Sequence, residues 1–333
     1  MWRLFFIFFL LSFSGSAQQK RFQFSQNKMG SPFSIIFYHT DSTEALQLAN
    51  DCYLKIDSLN NIFSDYFSYS EAGRLARQTT GQQIPISDEL LAILLLSKEA
   101  WIKSGKTFDI SIGALSQLWR KIKNEKRFPA AAEVKKAKQS TGFENLVIQP
   151  SVKTISFKKP GMRLDFGGIV KGYAAQKVVD YLKTKNITQA LADAGGDIVM
   201  SDEPPGKNGW RIGINIPEQE NELWDKKLEL KNCAVATSGD VYRFTIHNGK
   251  KYSHIIDPRT GYGVTSQRNV TVIAKNGATA DWLATACSIL SIEKALALAK
   301  KENAALLIAT LKGEKIIIDK TKNFDDYFQK KEP

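Results

Sequence analysis

The sequence is poor in the residues that build metal clusters and covalent frameworks. Its 333 residues include only three cysteines and three histidines. Cys52, Cys233 and Cys287 are widely spaced and odd in number, which argues against a disulfide framework. Cys52 and Cys287 fall on apolar helical faces, where a cysteine acts as a small hydrophobe. No C-x-x-C pair or histidine cluster offers a zinc site. Neither G-x-G-x-x-G nor a Walker A loop occurs, so the common nucleotide fingerprints are absent. There is no internal repeat and no low-complexity linker, so domain boundaries are soft. Beyond the first residues no apolar run is long enough to span a bilayer.

What is present begins at the first residue. "MWRLFFIFFLLSFSGSAQQK" places Arg3 before an apolar run at residues 4–13 and the small residues Gly15-Ser16-Ala17 after it. This reads as a signal peptide over residues 1–17, a mature region over 18–333, and export to a bacterial periplasm. An uncleaved anchor holding the chain at the membrane would start the same way, but the run is short for a spanning helix. No cysteine follows the cleavage site, so there is no lipoprotein signal. The formal charge is +12 and 43% of residues are hydrophobic. The lysines are scattered through helices and tail rather than gathered in a stripe with aromatics, and export argues against a nucleic-acid partner. A solvated surface biased toward anionic substrates or membrane surfaces is the reading that remains.

The patterning predicts an α+β fold with mixed, largely antiparallel sheets and flanking helices. "RFQFSQ" and "FSIIFYH" read as strands around a turn at Met29 and Gly30. Asp41 and Glu44 form a capping-box pattern, and Ser87 caps a helix from Asp88 to Lys103 that Gly105 ends. "LDFGGIVKG" reads as a strand turning into a helix, and "ALADAGGDI" as a strand ending at paired glycines. "FTIHNGKKYSHI" is a hairpin about Asn-Gly. "NVTVIAK", "ALLIAT" and "KIIID" are further strands, and "ATADWLATACSIL" is a helix.

Three glycine turns are expected to follow strands: Gly167-Gly168, Gly195-Gly196 and Ser238-Gly239. Asp165-Phe166-Gly167 matches the magnesium tripeptide of protein kinases, but the loops that fold also needs are missing. Gly168 opening a helix with Lys171 in its first turn is a plausible pyrophosphate site, although a plain turn with a solvated lysine looks the same. Asp281 and Thr285, at i and i+4 of a helix, offer hard oxygen ligands from one face; a surface pair with a back-bonding threonine has the same spacing. His254, at a strand end beside Asp257 and the Thr260-Gly261 turn, is a candidate acid or base.

Taken together and in order, "MGSPFSI", "FDISIGAL", "LDFGGIVKGYAA", "ALADAGGDI", "AVATSGDVYR", "HIIDPRTG" and "TADWLATA" resemble the successive motifs of the ApbE family of FAD:protein FMN transferases. The resemblance spans residues 29–290. It implies an ApbE-like fold with its active site in a central cleft. The implied activity is magnesium-dependent transfer of the FMN half of FAD to a threonine or serine hydroxyl, releasing AMP. The implied acceptor is an exported protein carrying a flavinylation motif, such as a subunit of a membrane oxidoreductase. By matching motifs, Gly168, Asp281 and Thr285 would hold Mg2+. Met29, Tyr66, Thr107, Phe108, Asp109, Asp165, Lys171, Gly196, Ser238 and Thr260 would line FAD, and His254 and Asp257 would serve catalysis. Two departures stand out. Gly263 replaces the family's proline, which predicts a looser loop, and Ala76 replaces an asparagine on the adenine side. An FAD pyrophosphatase giving FMN and AMP, or a non-catalytic exported FAD carrier, would use the same residues.

Overall fold

The computed structural model describes residues 18–215, 223–239 and 244–330. The expected signal peptide at 1–17 lies outside them. The chain opens with a hairpin, β1 (Lys20–Lys28) and β2 (Ser31–His39), closed by Met29-Gly30. Both turn residues have positive φ, 52° and 78°, the backbone of a two-residue hairpin turn. Glycine adopts this freely, whereas Met29 is held there against its preference.

Helix α1 (Ser42–Phe63) starts where its cap predicts, with Asp41 Oδ1 accepting the Glu44 N–H at 2.8 Å. There follow α2 (Glu71–Leu75), β3 (Ile84–Pro85) and α3 (Asp88–Lys103), the last capped by Ser87 as expected. Next come α4 (Gly113–Asn124), α5 (Ala131–Gln139), β4 (Leu146–Gln149) and β5 (Thr154–Phe157), with β3, β5 and β4 forming a small sheet. Helix α6 (Val170–Thr184) leads to β6 (Ala190–Asp193), β7 (Ile198–Met200), the β8 (Trp210–Asn215) and β9 (Leu223–Leu230) pair, and β10 (Cys233–Gly239). The hairpin β11 (Phe244–His247) and β12 (Lys250–Ser253) turns at Asn248-Gly249 as predicted. The chain ends with β13 (Arg268–Ala274), α7 (Gly277–Ile289), α8 (Ile292–Lys301), β14 (Ala305–Lys312) and β15 (Lys315–Lys320).

One eight-stranded sheet, ordered β1-β2-β6-β7-β10-β13-β14-β15, organises the rest. Every neighbouring pair in it is antiparallel. Side chains alternate between its faces with the strand period of two. Phe33, Ile35, Ala190, Ala192, Ala234, Ala236, Val270 and Val272 face one core with the helices. Leu191, Val235, Ile273 and Leu307 face a second core with Trp210, Ile212, Leu228 and Phe324. A sheet buried on both faces needs near-continuous apolar strands, which is how "NVTVIA" and "ALLIAT" read. Among the described residues no helix is long and apolar enough to cross a membrane.

Alanines on β6 and β10 let α6 and α7 sit close to the sheet and to each other. A Cβ on Gly172 would lie 2.1 Å from the Gly277 carbonyl oxygen, and one on Gly277 would lie 2.0 Å from that of Gly172. The two backbones therefore touch. The three cysteines are free thiols, each pushed up to about 12 by burial, in keeping with the absence of any chemistry assigned to them.

Two local expectations are corrected. The stretch "RLDFGG" is not a strand: it meets residues 110–113 through Asp165 N–H to Ile110 O (2.7 Å), Gly113 N–H to Arg163 O (3.2 Å) and a single bridge, Ile112 to Arg163. It joins the small-sheet region to α6 and has no sheet of its own to extend. Ser238-Gly239 is no turn either; it lies within β10 opposite Val270 and Asn269. Glycine serves close packing there, since a Cβ at 239 would meet Asn269 Oδ1 at 2.0 Å.

Gly172→Ala should force α6 and α7 apart. Chemical denaturation is expected to show a loss of about 1–3 kcal/mol or more, and an unchanged midpoint would refute the backbone contact.

Candidate functional site

The start of α6, the segment before it and the first turns of α7 converge on one point. Asn276 caps α7 by accepting the Thr279 N–H at 2.9 Å. One turn on, Asp281 is 5% exposed, and its Oδ2 accepts the Gly172 N–H at 3.1 Å. A carboxylate from one helix thus reaches the N-terminal N–H groups of another, where the helix dipole favours negative charge. Thr285 lies a further turn along the same face. A Cβ on Gly168 would stand 2.7 Å from Thr285 Oγ1 and 3.3 Å from Phe108 Cε2, so only glycine lets the main chain come this near. Gly168, more than a hundred residues away in sequence, shares one corner with Asp281 and Thr285.

Charge at this corner is unbalanced. Lys171 donates to the Asp197 carboxylate. Asp197 is buried just after the Gly195-Gly196 turn, in which Gly196 N–H donates to Asp193 Oδ1 at 2.7 Å. Burial pushes Asp281 well above the usual carboxylate range, the charge of Asp197 pushes it further, and Lys171 pulls it down. Burial raises Asp197 and Asp193 as well, against the pull of Lys171. Among the described residues, three carboxylates thus lie around the Lys171 ammonium group in a low-dielectric setting.

Among the described residues no three His, Cys, Asp or Glu side chains gather as a metal cluster. The oxygen set offered is one carboxylate, one hydroxyl and main-chain oxygen, hard donors of the kind that suit Mg2+ or Ca2+. The negative excess and the cradle that a Cβ at 168 would fill both fit such an ion.

A second group centres on Arg120, which the sequence reading did not single out. Its guanidinium pairs with Asp65, lies 3.4 Å from Asp165 Oδ2, and stacks with Cζ 4.2 Å from the centroid of the Tyr66 ring. Asp165 Oδ1 accepts the Gly167 N–H at 2.8 Å, which shapes the turn into Gly168. Burial and the Asp165 charge raise Asp65, and Arg120 opposes them. Tyr66 is 74% exposed, an aromatic face open to solvent and braced from behind. Met29, half-buried, packs at the rim of the helical core. Beside it Ser31 Oγ is buried with no hydrogen-bond partner among the described residues, 2.6 Å from where a Cβ on Gly195 would be.

Thr107, Phe108 and Asp109 turn their side chains inward. Thr107 Oγ1 donates to Ser104 O at 2.9 Å, and Asp109 accepts from Ser111 N–H (2.8 Å), Ser111 Oγ (2.6 Å) and Phe143 N–H (3.2 Å). Their side chains are engaged within the protein. Ser238 is half-buried within β10.

His254 is exposed on the loop after β12. That loop is not loosened by Gly263. A Cβ at 263 would meet Ser253 O at 2.1 Å, and the bonds Ser253 N–H to Val264 O (2.8 Å), Val264 N–H to Ile255 O (2.9 Å) and Asp257 N–H to Tyr262 O (2.9 Å) zip the loop together. Glycine tightens it by allowing backbone contact. Trp119 Nε1 donates to Gly261 O at 3.0 Å and ties the loop to α4. Asp257 is taken up by Arg259: Oδ1 accepts from its N–H and Nε at 2.9 Å, and Oδ2 from Nη2 at 2.8 Å. It braces the turn. Thr260, exposed, accepts the Tyr262 N–H at 3.2 Å in the same turn.

The model of the ApbE family matches residues 29–308, most of the chain. The chain belongs to the ApbE family. An FAD:protein FMN transferase of Klebsiella pneumoniae is 26% identical over 298 residues, covering 89% of this chain and 91% of its own. One from Vibrio cholerae is 30% identical over 260 residues, 76% of each. The apo crystal structure of the Pseudomonas stutzeri flavinyl transferase ApbE superposes with a TM-score of 0.82 at 28% identity, covering 93% of this chain and 98% of its own. The ApbE protein of Thermotoga maritima gives a TM-score of 0.84 at 25% identity, covering 93% and 100%. The α+β, largely antiparallel architecture is therefore that of the ApbE structures.

Within this ApbE chain, Asp197, Asp193 and Arg120 escaped the sequence reading. The first two had a signal, in the aspartates flanking the glycine pair of "LADAGGDI". Arg120 had none, being one basic residue among many on α4.

Without metal, a carboxyl raised in the folded state binds a proton on folding, so its burden on stability is full at neutral pH and shrinks as pH falls. Asp281→Asn, which keeps an acceptor for Gly172, should be more stable than the metal-free parent near neutrality, and the difference should narrow on acidification. Melting curves across pH with and without Mg2+ check this. A stabilisation by Mg2+ that survives Asp281→Asn would exclude the residue as a ligand.

Proposed function

We propose that this chain transfers the FMN half of FAD to a threonine or serine hydroxyl of an exported acceptor protein and releases AMP, with Mg2+ held by Gly168, Asp281 and Thr285. The observation that carries this reading is the meeting of those three residues with Lys171 and Asp197 at the start of α6, in a family whose curated relatives are FAD:protein FMN transferases. A divalent ion bound there would act as a Lewis acid toward the pyrophosphate oxygens.

The chain's own groups supply the rest. Lys171, aimed by Asp197, adds positive potential at a preorganised position. Tyr66, stacked on Arg120, offers a planar face for the adenine. The acceptor hydroxyl attacks the flavin-side phosphorus in line. An oxygen–phosphorus bond forms, the bridging P–O bond breaks, AMP leaves with the bridging oxygen, and the hydroxyl proton passes to a base. His254 takes that role in this reading, because Asp257 is saturated by Arg259. The signal-like N-terminus supports export to the periplasm, and a flavin-carrying subunit of a membrane oxidoreductase is a fitting acceptor.

Incubation of the protein with FAD, Mg2+ and a small exported acceptor domain should yield an FMN adduct on a threonine or serine in the mass spectrum, with one AMP per adduct. Asp281→Ala and Thr285→Ala should each lower the rate by about 100-fold or more. AMP and free FMN without adduct would mark a pyrophosphatase, and intact FAD with every acceptor would mark a carrier.

A further inference from the structure

Transfer to a protein requires room for two partners, and the corner at α6 accounts for one. On the opposite face of the large sheet lies a separate cleft of about 580 Å3, floored by strands β2, β6, β7 and β10 and walled by β8. That volume is in the range of sites that bind a ligand of several hundred daltons. Its lining includes Asp193 and Gly196, which belong to the turn that carries Asp197 and so lead to Lys171. The cleft thus ends against the back of the transfer site.

Among the described residues its lining carries three cations and one carboxylate. Arg21 on β1, Lys207 before β8 and Arg211 on β8 line it, and all three residues are exposed. The one carboxylate in the lining, Asp193, accepts a main-chain N–H from Gly196 and lies within the field of Lys171. Its floor and its wall each contribute one aromatic ring. Tyr38 and Trp210 sit with ring centroids 6.3 Å apart, and Trp210 Nε1 donates to Asp202 O at 2.9 Å. Aromatic rings inside a polar, charged rim match the anatomy of a protein-recognition site.

We propose that this cleft docks the hydroxyl-bearing segment of the acceptor, and that the segment is acidic. The assignment rests on the FMN-transfer reading, which requires a macromolecular substrate. It adds where that substrate sits and which charge it carries. In that reading the anionic FAD is held at the α6 corner through the bound Mg2+, so the basic cleft on the other face is left for a second anionic partner.

The test uses the full mature chain loaded with FAD and Mg2+, and two short fluorescent peptides. Each holds a single threonine, flanked by aspartates in one and by lysines in the other. Fluorescence anisotropy should show saturable binding of the acidic peptide only, weakening steeply with salt. Arg21→Glu combined with Lys207→Glu should weaken it at least about tenfold while FAD affinity, read by flavin fluorescence, stays unchanged. Acidic-peptide binding that is absent, or equal in the charge-reversed variant, overturns the proposal. So does a reversal that weakens FAD instead, since the cleft would then belong to the flavin. Adduct formation separates the two readings: FAD left intact by every acceptor sinks FMN transfer, whereas adducts formed equally fast by parent and variant sink only the docking site.

Discussion

The site depends on α6 and α7 touching backbone to backbone. Helices normally pack with axes about 8–10 Å apart, the spacing that side chains impose. Here Gly172 and Gly277 remove the intervening atoms, and each carbonyl occupies the place where the other glycine's Cβ would be. Only at that separation does Asp281, one turn into α7, reach the N–H of Gly172. The same approach brings Thr285 against Gly168. The alanines of β6 and β10 complete the constraint from below, since larger residues would lift both helices from the sheet.

That geometry is costly to the fold. Burying Asp281 and Asp197 near one another beside Lys171 sets up a repulsion that hydrogen bonds to Gly172 and Lys171 only partly offset. A protein selected for stability alone would place apolar residues here, and the surrounding core shows that it has them to spare. The arrangement makes sense where a positive ion arrives to complete it. The Asp257 turn is the contrast: there the carboxylate has its own arginine, the charge closes locally, and nothing further is needed.

Much of this was legible beforehand. Capping residues placed α1 and α3 to the residue, because a helix start is decided by a local side-chain bond. Asn-Gly placed the β11–β12 turn for the same reason. The i, i+4 spacing put Asp281 and Thr285 on one face, but nothing local says which helix that face meets, so their junction with Gly168 came only with the resemblance to a family. Where glycine served packing rather than turning, local reasoning failed: Gly239 sits in a strand, and Gly263 tightens the loop it was expected to loosen. A missing Cβ has one spelling in the sequence and two meanings in space. Arg120 was illegible because its role comes from three partners, Asp65, Tyr66 and Asp165, that only the tertiary fold collects.

The Gly195-Gly196 turn ties these parts together. Along β6, Ala190 and Ala192 face the helices, while Leu191 and Asp193 face the second core and the cleft. Strand alternation would keep the two faces chemically separate over the length of the sheet. At the end of the β6–β7 hairpin that separation lapses. Asp193 looks into the cleft, and Asp197, four residues later, holds Lys171 on the helical side. A two-substrate reaction across a sheet needs one place where both faces are within reach of the same few atoms. A hairpin end supplies it, because there the backbone has no further strand to cover it. The two sides differ in charge balance: the acidic corner at α6 calls for a cation before it can take an anionic substrate, whereas the basic cleft can take an acidic segment directly.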